Sequence, residues 1–178
     1  MIKGCGVADG RKQQEKIEPK DATIPTVSTE AVMLTATINE LEGRDVAVID
    51  ITGAYLSADM DNEVHVVFRG TLAEIMVMSD PALYWPFVSY ETGNPVLYVR
   101  LQKELYGCLK SALLLYEKLV RDLEAYGFRI NTYGQCADNK IIDRKQPKVF
   151  WHVDNLKISC VDANEVTKMI QRLKSEYG

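Results

Sequence analysis

The chain is poor in the residues that mark metal-binding and membrane proteins. Its 178 residues include two histidines, His65 and His152, and four cysteines, Cys5, Cys108, Cys136 and Cys160. The cysteines lie far apart and form no CxxC pair, so a structural zinc site is not expected. No apolar run approaches the roughly 20 residues needed to span a bilayer. Met1-Ile2-Lys3-Gly4 leads into a polar stretch, not the apolar core of a signal peptide. Scattered thiols without such a leader predict reduced cysteines, an intracellular setting and no membrane partner. Positive charge is not in excess either. Lys plus Arg number 21 against 25 Asp plus Glu, a net charge of -4. That excludes a globally basic nucleic-acid binder and leaves room for a locally basic groove.

What is present is a globular composition, 47% hydrophobic and 26% charged, with 11 Gly and 6 Pro. Disordered, collagen-like and low-complexity chains are thereby excluded. The length suits one domain or one and a half, enough to bury about two thirds of the unfolded surface.

Residues 1–26 carry Gly4, Gly6 and Gly10 among Lys3, Arg11, Lys12, Lys16 and Lys20, which predicts a loop or hairpin tip. Thr26 or Ser28 can cap a helix with an apolar face of Val32, Met33, Ala36 and Thr37, stopped at Gly43. Asp45 to Ile51 is β-branched and mostly apolar, a buried strand whose apolar run from Val46 to Ile49 suggests a central position in a sheet. Thr52 to Leu56 then turns into a short helix. Strands are expected over 63–68 and 96–101, with a helix over 72–78 and a turn near Gly93-Asn94. Ser111 to Tyr126 is the clearest helix, with Leu114, Leu115, Leu119 and Leu123 at helical spacing and Gly127 beyond its end. A strand is expected over 137–142. Two more, 149–153 and 156–160, flank a turn at Asp154-Asn155. An amphipathic helix over 164–177 follows. One compact α+β unit results, and it reads as a piece of something larger.

Two carboxylates stand in unusual places. Asp50 ends an apolar strand, and Asp154 sits at a hairpin tip about a hundred residues later. Burying an ionised carboxylate costs several kcal/mol unless it is paired or holds a metal. Two of them meeting at one end of a sheet would make an oxygen-rich site suited to Mg²⁺. Two ions roughly 3.5–4 Å apart can activate an attacking oxygen and stabilise a leaving one. The same residues also read as a strand terminator and a turn former.

The segments Asp50-Ile51-Thr52-Gly53-Ala54-Tyr55-Leu56, Leu105-Tyr106-Gly107, Tyr116-Glu117-Lys118-Leu119 and Trp151-His152-Val153-Asp154-Asn155 carry a resemblance. In this order and spacing the chain resembles the reverse transcriptase of copia-type long-terminal-repeat retrotransposons. Lys3-Gly4-Cys5-Gly6 and Pro25-Thr26-Val27 resemble that family's opening segments. The resemblance implies the fingers and palm of a right-hand polymerase, with a ferredoxin-like palm core of antiparallel sheet backed by helices. About 1–43 would be a fingers-side segment, and about 44–178 mostly palm with a fingers-like insertion. Thumb, connection and RNase H regions would lie outside residues 1–178.

The implied activity is RNA-directed DNA polymerase: addition of a dNTP to a primer 3′-OH on an RNA or DNA template. The implied partners are template–primer, dNTP and the integrase and RNase H parts of a retrotransposon polyprotein, in a cytoplasmic particle or the nucleus. Asp50 and Asp154 match the catalytic aspartates. With the Ile51 carbonyl they would hold two Mg²⁺, or Mn²⁺ in their place. Thr52, Gly53, Ala54 and Tyr55 would line the nucleotide, the Tyr55 ring excluding a ribose 2′-OH; on its own Tyr55 reads equally as a core aromatic. Arg11, Lys12 and Lys110 would approach the triphosphate. Tyr106, Gly107, His152, Val153, Lys145 and Lys148 would face nucleic acid, the two lysines within a basic cluster that includes Lys140 and Arg144. Arg11-Lys12 and this cluster also read as ordinary solvated loops.

The chain departs from the family pattern at several positions. Asn155 replaces the second hairpin aspartate, removing one negative charge from the site. Lys110 replaces a glutamine; Ala112, Leu113 and Leu115 replace Pro, Arg and Trp. Weakened Mg²⁺ binding and little processive synthesis are therefore expected. Two other readings stand beside the enzyme: a catalytically dead retroelement remnant with the fold and weak nucleic-acid affinity, and an unrelated α+β protein-interaction module, which would leave Asp50 and Asp154 far apart.

Overall fold

A computed structural model describes residues 6–132 and 134–178. The opening Lys3-Gly4-Cys5 motif lies outside the described residues. The chain forms two antiparallel sheets. The larger contains β1 (Asp45–Asp50), β5 (Arg129–Asn131), β6 (Gly134–Asn139), β7 (Lys148–His152) and β8 (Asn155–Cys160), in the order β1-β8-β7-β6-β5. The smaller contains β2 (His65–Arg69), β3 (Ser89–Glu91) and β4 (Asn94–Arg100), in the order β2-β4-β3.

Helix α1 (Thr29–Leu41) starts where expected, with the Ser28 hydroxyl accepting the Ala31 N–H at 3.1 Å. Its buried face differs from the expectation. Thr35 and Asn39 are buried while Met33 and Leu34 are exposed. Thr35 manages burial by donating its hydroxyl to the Ala31 carbonyl at 2.7 Å.

Helices α4 (Ser111–Ala125) and α5 (Ala163–Tyr177) supply the core of the larger sheet. Leu115, Leu119 and Leu123 repeat every four residues and are fully buried, against Val149, Trp151, Leu156 and Ile158. Each such leucine contributes about 1.5–3 kcal/mol by leaving water. Val166, Met169 and Leu173 do the same for α5, which packs on β1 and β8.

The smaller sheet is an excursion from the larger unit. The chain leaves at Ala58, whose carbonyl accepts the Glu104 N–H at 3.0 Å, and returns there. Asp59 pairs antiparallel with Lys103 to form a two-stranded neck. Helix α2 (Thr71–Ser79) covers the small sheet, with the one-turn helix α3 (Pro81–Tyr84) beside it.

Three expectations need correcting. Strand β1 is an edge strand: among the described residues it pairs only with β8, and Val48 is 73% exposed. Its continuous apolar run reflects one face on the core and one left open, not a central position. The β7–β8 turn is Val153-Asp154, one residue earlier than expected, because His152 pairs with Asn155. Strand β5 was not expected at all; its three residues are too short to show a period.

Candidate active site

The antiparallel register of β1 and β8 brings the two ends of the motif together. Asp50 is the last residue of β1 and stands opposite Asn155, the first of β8. One residue further, the Ile51 N–H donates to the Asp154 carbonyl at 3.0 Å. Asp50 and Asp154, remote in sequence, therefore sit on adjoining chain ends. Cross-strand partners share a face, so Asp50, Asn155 and His152 line one surface, all three exposed.

Asp154 is held from two sides. Tyr106 donates its hydroxyl to Oδ2 at 2.7 Å, and the Asn155 amide donates Nδ2 to Oδ1 at 3.0 Å. The turn carrying it has positive φ at Val153, +56°. A β-branched residue there is strained, and such strain persists only where the surroundings fix it.

Tyr55 lies in a short 3-10 helix, Ala54–Ser57, that follows the left-handed Gly53. The Ala54 N–H donates to the Ile51 carbonyl at 3.1 Å, closing the turn that aims this helix at the sheet end. The Tyr55 ring meets Tyr106 edge to face, with centroids 4.2 Å apart. Burial first, and then the charge of Asp154, pushes the Tyr55 hydroxyl above its usual range. Tyr55 is thus both a buried aromatic and a wall beside Asp154. Thr52 and Gly53 are exposed on the adjoining turn.

The Tyr106-Gly107 loop is fixed by backbone approach. The Ala8 N–H donates to the Tyr106 carbonyl at 2.7 Å. A Cβ on Gly107 would lie 1.9 Å from the Ala8 carbonyl, and one on Gly10 would lie 2.2 Å from the Gly107 carbonyl. Only hydrogen fits at both positions, which pins residues 7–10 across the loop.

The cations do not join this cluster. Arg11 is tied to Asp9 at 2.7 Å. Lys12 and Lys110 line a cavity of about 540 Å³ whose walls include neither Asp50, Tyr55 nor Asp154. Lys110 is paired with Asp61 at 3.1 Å. Lys145 bonds Asp162 at 2.7 Å, and Lys140 donates to the Tyr126 carbonyl at 2.6 Å. Lys148 opens β7, the end of that strand away from the hairpin tip. These three lysines are engaged in, or set within, the protein's own structure and stand apart from the carboxylates.

Two buried acids escaped the sequence reading. Glu104 is fully buried at the neck, and Asp138 is fully buried on β6. Both Asp138 oxygens lack a partner, and burial with the Glu124 charge pushes its carboxyl up to about 7. Nothing in Cys136-Ala137-Asp138 or Lys103-Glu104-Leu105 announces this, since each acid follows residues common on surfaces as well as in cores.

Among the described residues no group of three or more His, Cys, Asp or Glu side chains forms a metal cluster. The oxygens at the sheet end that could reach a hard cation are the Asp50 and Asp154 carboxylates, the Asn155 amide oxygen and the Ile51 carbonyl, of which Asp154 and Ile51 already accept hydrogen bonds within the protein. No helix among the described residues is long and apolar enough to cross a membrane. No family model matches the chain, and no curated protein or solved structure matches it.

Proposed function

We propose that the chain is the fingers–palm part of a copia-type retroelement reverse transcriptase. What supports this most is the β1–β8 register, which sets Asp50 opposite Asn155 and Ile51 opposite Asp154, so that both aspartates lie at the same end of an antiparallel sheet backed by α4 and α5. Asp50, Asp154 and the Ile51 carbonyl would hold Mg²⁺, which when bound supplies charge to the reacting phosphoryl group and eases loss of the primer proton. The primer 3′-oxygen would bond the α-phosphorus of a dNTP as pyrophosphate leaves. Tyr106 orients the Asp154 carboxylate for this task, and the Tyr55 wall would meet a ribose 2′-OH. The basic residues Arg11, Lys12 and Lys110 are not needed for this reading, which rests on the carboxylates and the two tyrosines.

A specific observation favours a second reading, a catalytically dead remnant. The Asn155 amide donates to Asp154, occupying an oxygen that a metal would use and adding no charge. The two readings separate in a single-nucleotide addition assay on an RNA–DNA template–primer. Asn155→Asp should raise Mg²⁺-dependent addition of a dNTP, and Asp50→Asn in that background should abolish it. No addition by Asn155→Asp, or persistence after Asp50→Asn, overturns the polymerase reading.

A further inference from the structure

Helix α2 is apolar on both of its sides. It rests on β2 and β4 with Ala73 fully buried and Met76 and Val77 partly covered. Leu72, Ile75 and Met78, spaced three apart, share the opposite side and are 59%, 54% and 79% exposed. A helix that is hydrophobic all round is normally buried. The chain continues the pattern. Helix α3 lies beside α2, and the turn Trp85–Phe87 beside α3. Trp85, Phe87 and Tyr90 are 64%, 66% and 66% exposed. Against this display, the whole excursion from Asp59 to Lys103 buries only Ala73, Val96 and Leu97 among its hydrophobic side chains.

The exposed surface is large enough for a stable interface. An aromatic side chain offers about 150–250 Å², so three of them at this exposure present roughly 300–500 Å². That alone matches the largest apolar patch of a typical monomer, about 300–600 Å². Leu72, Ile75 and Met78 carry it toward the roughly 800 Å² that each partner contributes to a standard protein interface.

Charge selects the occupant. No Lys or Arg stands between Arg69 and Arg100, so neither a nucleic acid nor an anionic membrane finds a cation on this stretch. Asp80 is engaged in accepting the Leu83 N–H at 3.0 Å, and Glu91 in holding Arg69 at 3.4 Å and the Tyr98 hydroxyl at 2.9 Å. A surface this apolar and this sparsely charged is the kind that homodimers bury. The α2 stripe is also complementary to itself. Ile75 is the midpoint of Thr71–Ser79, so a two-fold axis there sets Ile75 against its own copy and Leu72 against Met78 of the partner subunit.

We propose that the chain forms a two-fold dimer in which α2 packs antiparallel on α2 of a second copy, with the Trp85–Phe87 turn at the margin of the interface. The test is sedimentation equilibrium of the whole chain up to about 100 μM, where a dimer with a Kd of about 10 μM or tighter should appear. Ile75→Glu and Met78→Glu, both at exposed positions, should each weaken it about tenfold or more while far-UV circular dichroism stays unchanged. Leu72→Lys alone should also weaken it. Leu72→Lys combined with Met78→Glu should associate about tenfold better than either change alone, because each lysine then faces a glutamate across the axis. Val48→Lys, on the open edge of β1, should leave the dimer intact. A chain monomeric at about 100 μM, a dimer indifferent to both glutamate substitutions, a dimer lost in Val48→Lys, or a double variant no better than the single ones overturns the proposal. A monomer that floats with phosphatidylcholine vesicles also overturns it and gives the surface to lipid.

Discussion

Asn155 donates its side-chain amide to Asp154 Oδ1 at 3.0 Å, so the residue next to the hairpin carboxylate acts as its hydrogen-bond partner. Replacing that amide with a carboxylate turns a donor into a repelling charge. Asn155→Asp should lower stability without metal and bind Mn²⁺ or Mg²⁺ at least about tenfold tighter, roughly 1.4 kcal/mol. Metal titration followed by Mn²⁺ spin resonance checks this; an unchanged affinity would sink the charge argument.

Tyr106→Phe removes the hydroxyl that reaches Asp154 and keeps the ring on Tyr55. Urea unfolding should show a loss of about 1.5–3 kcal/mol, as for a hydrogen bond to a charged group. Tyr106→Leu should lose about 0.5–1.5 kcal/mol more, through the ring contact. Equal stability of wild type and Tyr106→Phe would mean that solvent serves Asp154 as well.

Asp138 gives the fold a pH dependence. Its carboxyl titrates near 7 in the folded chain against an ordinary 3.8. Between those values the folded state keeps a proton that the unfolded state has lost. Stability therefore falls as pH rises through this window and levels off above it. Asp138→Asn should raise the melting temperature at pH 8 and change it little near pH 4, with a difference of a few kcal/mol at about 1.4 per pKa unit. Identical melting of the two proteins at pH 8 would refute it.

Gly107→Ala forces a Cβ to 1.9 Å from the Ala8 carbonyl at a φ of +92°. Residues 7–10 must then leave the loop, at a cost of about 2 kcal/mol or more. Trypsin should cut faster at Arg11, Lys12 and Lys16 while α4 and α5 stay resistant. Unaltered cleavage would show that the backbone approach is not what holds the segment.

Much of the fold was legible because its signals are local. The Leu115-Leu119-Leu123 stripe, the Ser28 cap and the β7–β8 hairpin all follow from period and side-chain chemistry. The position of β1 was not, since an apolar run says that a strand is buried on one side without saying whether a neighbour flanks it. The meeting of Asp50 with the Asp154 turn was legible only as a conditional, because register is a property of two strands together. Glu104 was invisible for a different reason: it lies where the chain returns to the neck, its N–H bonded to the Ala58 carbonyl, and the return of a distant segment leaves no local pattern.

The exposed outer side of β1 has a practical consequence for handling the protein. Among the described residues its backbone groups on that side meet no strand, and Val46 and Val48 stand open beside them. Such a ledge invites any extended peptide to add on, with charge from Asp45 and Asp50 at its two ends as the main deterrent. Concentrated samples should therefore cluster through this strand, and a lysine in place of Val48 is the simplest way to keep them dispersed.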